Sequence, residues 1–198
     1  FLTDSLIEQI VCRIKQKISL KDTKSLEIGW FGGEPLMAFS KMKKLNEQLK
    51  DIAISRNLKY SGHITTNGYA LSPSIYKMLK EEFNVYRIEI TLDGSKEFHD
   101  KRRVTTSGIG SFDIIFNNLK AITQSPFYDK NTCVISIRCN VDERNIEGVM
   151  PLLEMLYKHN MQDKIIFYTT PVVSWSNNGA GSMLGHKLLG KLSSKHID

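Results

Sequence analysis

Leu26-Glu27-Ile28-Gly29-Trp30-Phe31-Gly32-Gly33-Glu34-Pro35 is a short, mostly apolar run that stops at two glycines, a carboxylate and a proline. A run of this length bounded by Gly and Pro reads as a buried strand. The same arrangement recurs along the chain. Thr66-Asn67-Gly68 closes the run His63 to Thr65, and Asp93-Gly94 closes Val85 to Leu92. Asn140 stands at the end of Val134 to Cys139, and Thr169-Thr170-Pro171 closes Ile165 to Tyr168. Parallel α/β sheets bind ligands at the carboxyl ends of their strands. Polar or Gly-rich groups at each of these ends therefore point to one shared site.

Helical patterns fill the intervals. Leu6, Ile7, Ile10, Val11, Ile14 and Ile18 recur at helical spacing behind Thr3 or Asp4 as a cap. Met42, Leu45, Leu49 and Ile52 make a second helix with Ser40 as its expected cap. Ser72-Pro73 starts a third, with Pro at the first helical position. Residues 96–109 are charged and irregular, and Ser111 is expected to cap a helix that buries Phe112, Ile115, Phe116, Leu119 and Ile122. A further helix runs around Val149 to Tyr157, with Pro151 in its first turn. Ser174 to Gly181 reads as a loop and Met183 to Leu192 as a last helix. A helix followed by repeated βα units implies an α/β fold with a parallel sheet, in a single domain over 1–198. Because the chain opens at Phe1 in a helical pattern, it reads as a segment of a longer protein. An open or partial barrel lacking its first strand is the expected architecture.

Composition narrows the function classes. With 41% hydrophobic and 24% charged residues the chain matches a soluble globular protein, and no apolar run is long enough to span a bilayer. Phe1 to Ile18 is amphipathic and charged, unlike a secretory leader. The net charge of +6 is dispersed, with no basic stripe carrying interleaved aromatics, so no nucleic-acid partner is expected. Lys41, Lys43, Lys44 and Lys50 read as the solvated face of one helix. Cys12, Cys133 and Cys139 lack metal-ligand spacing, and the last two lie roughly 20 Å apart along one strand. Small buried hydrophobes in a reducing compartment account for all three, with Cys12 placed on the apolar side of its helix.

Gly32 and Gly33 let a ligand approach the backbone, and Glu34 adds a carboxylate beside free carbonyls. That combination suits an ammonium group rather than a phosphate, which needs donors. A tight strand-to-helix turn is the plainer reading. Asn67-Gly68 and Asp93-Gly94 are equally open to a turn reading, and Arg138 to an ordinary ion pair. His99 reads as loop packing or capping. His63, His159, His186 and His196 show no paired spacing, while Trp30 and Trp175 read as core or rim packing.

Taken in order, Trp30-Phe31-Gly32-Gly33-Glu34-Pro35-Leu36, Thr66-Asn67-Gly68, Thr91-Leu92-Asp93-Gly94, His99-Asp100-Lys101-Arg102-Arg103 and Ile137-Arg138-Cys139-Asn140-Val141-Asp142 resemble a radical S-adenosylmethionine (radical SAM) enzyme. The resemblance is to the protein- and peptide-modifying branch: anaerobic sulfatase-maturating enzymes, also labelled arylsulfatase regulators, with SPASM-type extensions. It covers about Leu26 to Pro171. It implies a partial (βα)6 barrel of parallel strands, S-adenosyl-L-methionine as cofactor and a 4Fe-4S cluster held by a Cys-x3-Cys-x2-Cys loop. Reductive cleavage of S-adenosylmethionine then gives a 5′-deoxyadenosyl radical that abstracts hydrogen from the substrate. The implied partners are a protein or peptide substrate, such as a sulfatase Cys or Ser or a ribosomal peptide, and a reducing electron donor in the cytoplasm.

On this resemblance Glu34, with the Gly32 and Gly33 backbone beside Pro35, meets the methionyl ammonium. Arg103 meets the carboxylate with Arg102 as fallback, and the Thr91 hydroxyl touches the same carboxylate. Asn67 and Asn140 suit ribose or backbone contacts, the backbone near Tyr168 flanks the adenine, and Asp93 and Arg138 complete the cofactor-binding set. The Cys triad itself is absent from the sequence, as is a downstream Cys-rich region. The expected fragment therefore holds most of the cradle and is inactive alone, with an exposed strand edge open to association. Two readings compete with it: a non-catalytic regulatory or binding domain that kept the barrel, and a barrel enzyme for a phosphorylated substrate.

Overall fold

The computed structural model describes residues 2–20 and 22–172. The helices are α1 (Asp4–Ser19), α2 (Phe39–Ser55), α3 (Pro73–Glu81), the one-turn α4 (Lys96–His99), α5 (Phe112–Thr123) and α6 (Val149–Lys158). The strands are β1 (Ser25–Trp30), β2 (Lys59–Thr66), β3 (Val85–Thr91), β4 (Val134–Val141) and β5 (Ile165–Pro171). The loop and helix expected beyond Ser174, with Trp175, His186 and His196, lie outside the described residues.

All pairings are parallel, and the five strands lie in the order β1-β2-β3-β4-β5. A doubly wound sheet would reverse direction at a switch point. This sheet never does, so every crossover runs the same way, as in a βα barrel. Ile28, Ile64, Ile88, Ile90, Ile135 and Ile137 pack with Leu45, Leu49, Tyr76, Leu79, Ile115 and Leu152 into one core on the helix side. The alternate residues face away from the helices and are mostly polar, among them Glu27, His63, Thr65, Arg87, Glu89, Ser136, Arg138 and Tyr168. Among the described residues no helix is long and apolar enough to cross a membrane.

Two caps match the sequence. Thr3 Oγ1 accepts from the Leu6 amide at 3.2 Å, and Ser72 Oγ accepts from Ile75 at 3.3 Å with Pro73 opening α3. Two differ. Ser40 lies inside α2, because a 3-10 turn over Pro35–Ala38 leads straight into the helix and is capped by Glu34. Ser111 precedes α5 but turns its hydroxyl to the Arg103 carbonyl, and Asp100 Oδ1 accepts from Phe112 N instead, at 2.9 Å.

Two surface expectations also change. Cys12 is exposed, whereas Cys133 and Cys139 are buried and their thiols are pushed by burial up to about 12. Lys41 and Lys44 are not simply solvated: both pair with Asp4, at 2.6 and 2.9 Å, tying α2 to α1. Their hydrogen bonds pull the Asp4 carboxyl down to about 2.

Gly68 occupies the left-handed region at φ +78°, where a Cβ would lie 2.8 Å from Ile90 Cγ2 and 3.1 Å from Ile115 Cγ2. Gly68→Ala therefore combines backbone strain with a core clash, and we expect roughly 2–3 kcal/mol of destabilisation by urea denaturation. An unchanged midpoint would contradict the packing described.

Candidate active site at the strand ends

The loop after β1 opens with Gly32 at φ +99° and Gly33 at φ +39°, and a Cβ on either would meet nothing within 4 Å. The backbone here is bare. Glu34 follows, and its carboxylate is engaged by the protein itself. Oε1 accepts from Leu36 N at 3.1 Å and Thr66 Oγ1 at 2.5 Å, while Oε2 accepts from Asn67 N at 2.7 Å. One side chain thus locks the loop after β1 onto the end of β2. Asn67 Oδ1 in turn accepts from Tyr69 N at 2.9 Å, and Asn118 Nδ2 donates to the Gly68 and Tyr69 carbonyls. The turn reading of Asn67-Gly68 holds, and Asn67 also lines the cleft described below.

Asp93 is the hub at the end of β3. It is 1% exposed. Its Oδ1 accepts from both Asn140 N (2.9 Å) and Asn140 Nδ2 (3.0 Å), and its Oδ2 accepts from Arg103 Nε at 2.6 Å. Its backbone is held as well: Asp93 N donates to His99 Nδ1 at 3.1 Å, and its carbonyl accepts from Asn145 Nδ2 at 3.0 Å. Arg103 is therefore gripped through Nε, leaving the guanidinium fork free to face outward. Nearby Asp142 is fully buried and takes two bonds from the Arg144 guanidinium, with Arg102 Nη1 3.2 Å away. Burial acts to raise its carboxyl, but these arginines hold it below the ordinary range.

His99 is fully buried between Asp93 N and Ser111 Oγ, as a packing residue. Burial pushes its imidazole down to about 4 from an ordinary 6.5. The unfolded chain binds that proton first, so the stability His99 contributes is present above about 6.5 and lost as pH falls toward 4. The shift corresponds to about 3 kcal/mol. We expect the urea midpoint to fall between pH 7 and pH 4.5, and to fall less in a His99→Gln variant; equal falls would contradict this.

A cleft of about 660 Å³ at this end of the sheet is lined by Glu34, Asn67, Tyr69, Arg102 and Arg103. A second, more apolar cleft of about 680 Å³ lies on the other side of the same loop, beside Leu2, Leu6, Trp30 and Gly32 to Pro35. Thr91 is buried next to Asp93, and Asn140 is pinned to it. Pro35 serves as the first residue of the 3-10 turn. Arg138 and Tyr168 are not at this cleft. They stand on the helix-free face, where Arg138 Nη1 lies 3.7 Å from Glu89 Oε1 and Tyr168 Oη donates to Glu89 Oε2. Glu89, Asn118 and Asn145 carried no sequence signal as functional residues; only strand register and loop closure bring them in. Among the described residues no group of three His, Cys, Asp or Glu side chains is placed to hold a metal.

The sheet winds as a βα barrel, with a bare Gly-Gly loop and a clamped arginine at its strand ends. Solved structures share this fold. The structure of native anSMEcpe with bound AdoMet and Kp18Cys peptide superposes with a TM-score of 0.64 at 21% identity, covering 91% of this chain and 47% of that one. Native anSMEcpe with bound AdoMet and Cp18Cys peptide gives a TM-score of 0.65 at 20% identity over the same shares. In sequence the chain is similar to a cysteine-type anaerobic sulfatase-maturating enzyme of Clostridium novyi, at 30% identity over 61% of this chain and 30% of that enzyme. It is also similar to a serine-type anaerobic sulfatase-maturating enzyme of Bacteroides thetaiotaomicron, 31% identical over 56% of this chain and 25% of the relative. The radical SAM cyclopropyl synthase TigE of Paramaledivibacter caminithermalis is 28% identical over 63% of this chain and 25% of its own length. The matches thus cover only a quarter to a third of these relatives. No family model matches the chain.

Proposed function

We propose that this chain is the cofactor-binding core of a radical SAM enzyme that modifies a Cys, a Ser or another residue in a protein or peptide substrate. The observation that carries the reading is Glu34 lining one cleft with the Asp93-held Arg103, while the open Gly32-Gly33 backbone just before it faces the cleft on the other side of the same loop. The residues fit S-adenosylmethionine. The carbonyls of the glycine loop accept from the methionyl ammonium. The Glu34 carboxylate, already holding three protein donors, adds negative charge and the remaining lone pair of Oε2. The Arg103 fork pairs with the methionyl carboxylate. Asn67 offers a polar group to the ribose.

The described residues do not fit an iron–sulfur cluster, since Cys133 and Cys139 are buried with raised thiol values and Cys12 stands apart on α1. That same observation favours one second reading, a regulatory domain that binds S-adenosylmethionine without cleaving it. Free thiols suit a reducing cytoplasmic setting with a reducing electron donor. Among the described strands β1 and β5 each leave an edge unpaired, through which copies could associate.

The test is equilibrium binding. S-Adenosylmethionine should bind at least about tenfold tighter than 5′-methylthioadenosine, which lacks the amino and carboxylate groups that the loop and Arg103 hold. Equal affinities would remove the basis of the proposal.

A further inference from the structure

The helix-free face carries a second constellation, two strands' width across and distinct from the cleft at the mouth. Glu27 on β1 accepts from Tyr86 Oη at 2.7 Å and lies 3.0 Å from His63 Nδ1. The His63 ring lies across Gly29, where a Cβ would sit 2.9 Å from Nε2 and displace it. His63 is the register partner of Arg87 on the central strand β3, so the two side chains stand side by side on this face. On its other flank Arg87 meets Val134 of β4.

The charges on this face can be matched one by one. Glu27 is taken by Tyr86 and His63. Glu89 is taken by Arg138, Thr65 and Tyr168. Arg87 is exposed and makes no ion pair or hydrogen bond among the described residues. Its charge acts on Glu27 from a distance, but no carboxylate among the described residues is within ion-pair reach, so the guanidinium in the middle of this central strand is open to an anion.

We propose that Arg87, flanked by the fixed His63 ring, forms a carboxylate-binding subsite for an acidic side chain of the peptide substrate. The proposal rests on the functional reading above and names a substrate feature for it. The guanidinium fork supplies two parallel donors. His63, held through Nδ1 by Glu27 with its ring over Gly29, walls the subsite on the β1 side. Glu27 and Glu89 lie on either side, so a dianionic phosphate is repelled more strongly than a monoanionic carboxylate.

Fluorescence anisotropy on the complete chain tests this, using a labelled peptide with one Asp beside a central Cys, its Asn counterpart and a phosphoserine counterpart. The Asp peptide is expected to bind about tenfold tighter than the Asn peptide, the discrimination one charge-assisted fork supplies. Arg87→Gln should erase that preference and Arg87→Glu should shift it to a Lys peptide. Equal or undetectable affinity for the Asp and Asn peptides overturns the proposal, as does a preference that survives in Arg87→Gln or a tighter phosphoserine peptide. S-Adenosylmethionine binding, read on the same samples, reports the mouth separately. Lost peptide preference with cofactor binding intact sinks this subsite alone.

Discussion

Asp93→Ala is expected to destabilise the chain by roughly 3 kcal/mol and to release Arg103 from the mouth. The carboxylate is 1% exposed and satisfies three donors, from Asn140 N, Asn140 Nδ2 and Arg103 Nε. Truncation strands two amide donors in a buried place. Breaking a buried pair costs about 3–5 kcal/mol, and the lower end applies because the Arg103 side chain is 38% exposed and water can solvate it. Asp93→Asn keeps the acceptor for Asn140 and loses only the charge-assisted bond, so about half that cost is expected. The check is a shift in the denaturant midpoint at constant slope. If Asp93→Ala shifts stability by less than about 0.5 kcal/mol, the hub is not holding the strand ends together.

Arg103→Ala is expected to weaken S-adenosylmethionine binding by about 10- to 100-fold, and also to cost stability, because it leaves the buried Asp93 carboxylate with only the two Asn140 donors. Its Nε bond to Asp93 fixes the plane of the guanidinium, and among the described residues its outer nitrogens make no hydrogen bond, so they are free for a ligand. Arg103→Lys should recover little, since an ammonium cannot hold Asp93 and present a fork at once. Calorimetry on the variants decides it. Unchanged affinity in Arg103→Ala would assign the carboxylate contact elsewhere, with Arg102 across the same cleft as the next candidate.

The strands were legible because each is a short apolar run punctuated by Gly, Pro or Asn, and the five ends do converge on one side of the sheet. Helix starts were less so. Ser40 and Ser111 carry the right hydroxyl, yet α2 continues from the Glu34-capped 3-10 turn with no side-chain cap of its own, and Asp100, 12 residues back, took the Phe112 amide. A cap is a competition among nearby acceptors, and sequence shows only one competitor. Glu34 and Asp93 were marked by position, but their roles as braces appear only when the loops close. The polar face was least readable. Glu27, His63 and Tyr86 are 36 and 59 residues from one another's partners along the chain, and only strand register, with its irregularity at Gly62/His63, joins them. Glu89 and Tyr168, 79 apart, meet the same way.

The central claim is that these strand ends cradle S-adenosylmethionine for radical chemistry in the whole protein. The most direct measurement is 5′-deoxyadenosine formation by the full-length protein, expressed from its own start codon, reconstituted anaerobically with iron and sulfide and supplied with a reductant. The account predicts that 5′-deoxyadenosine forms and that Arg103→Ala abolishes it. Failure to take up iron, with no cleavage of S-adenosylmethionine, would contradict it and leave a binding domain on a barrel scaffold.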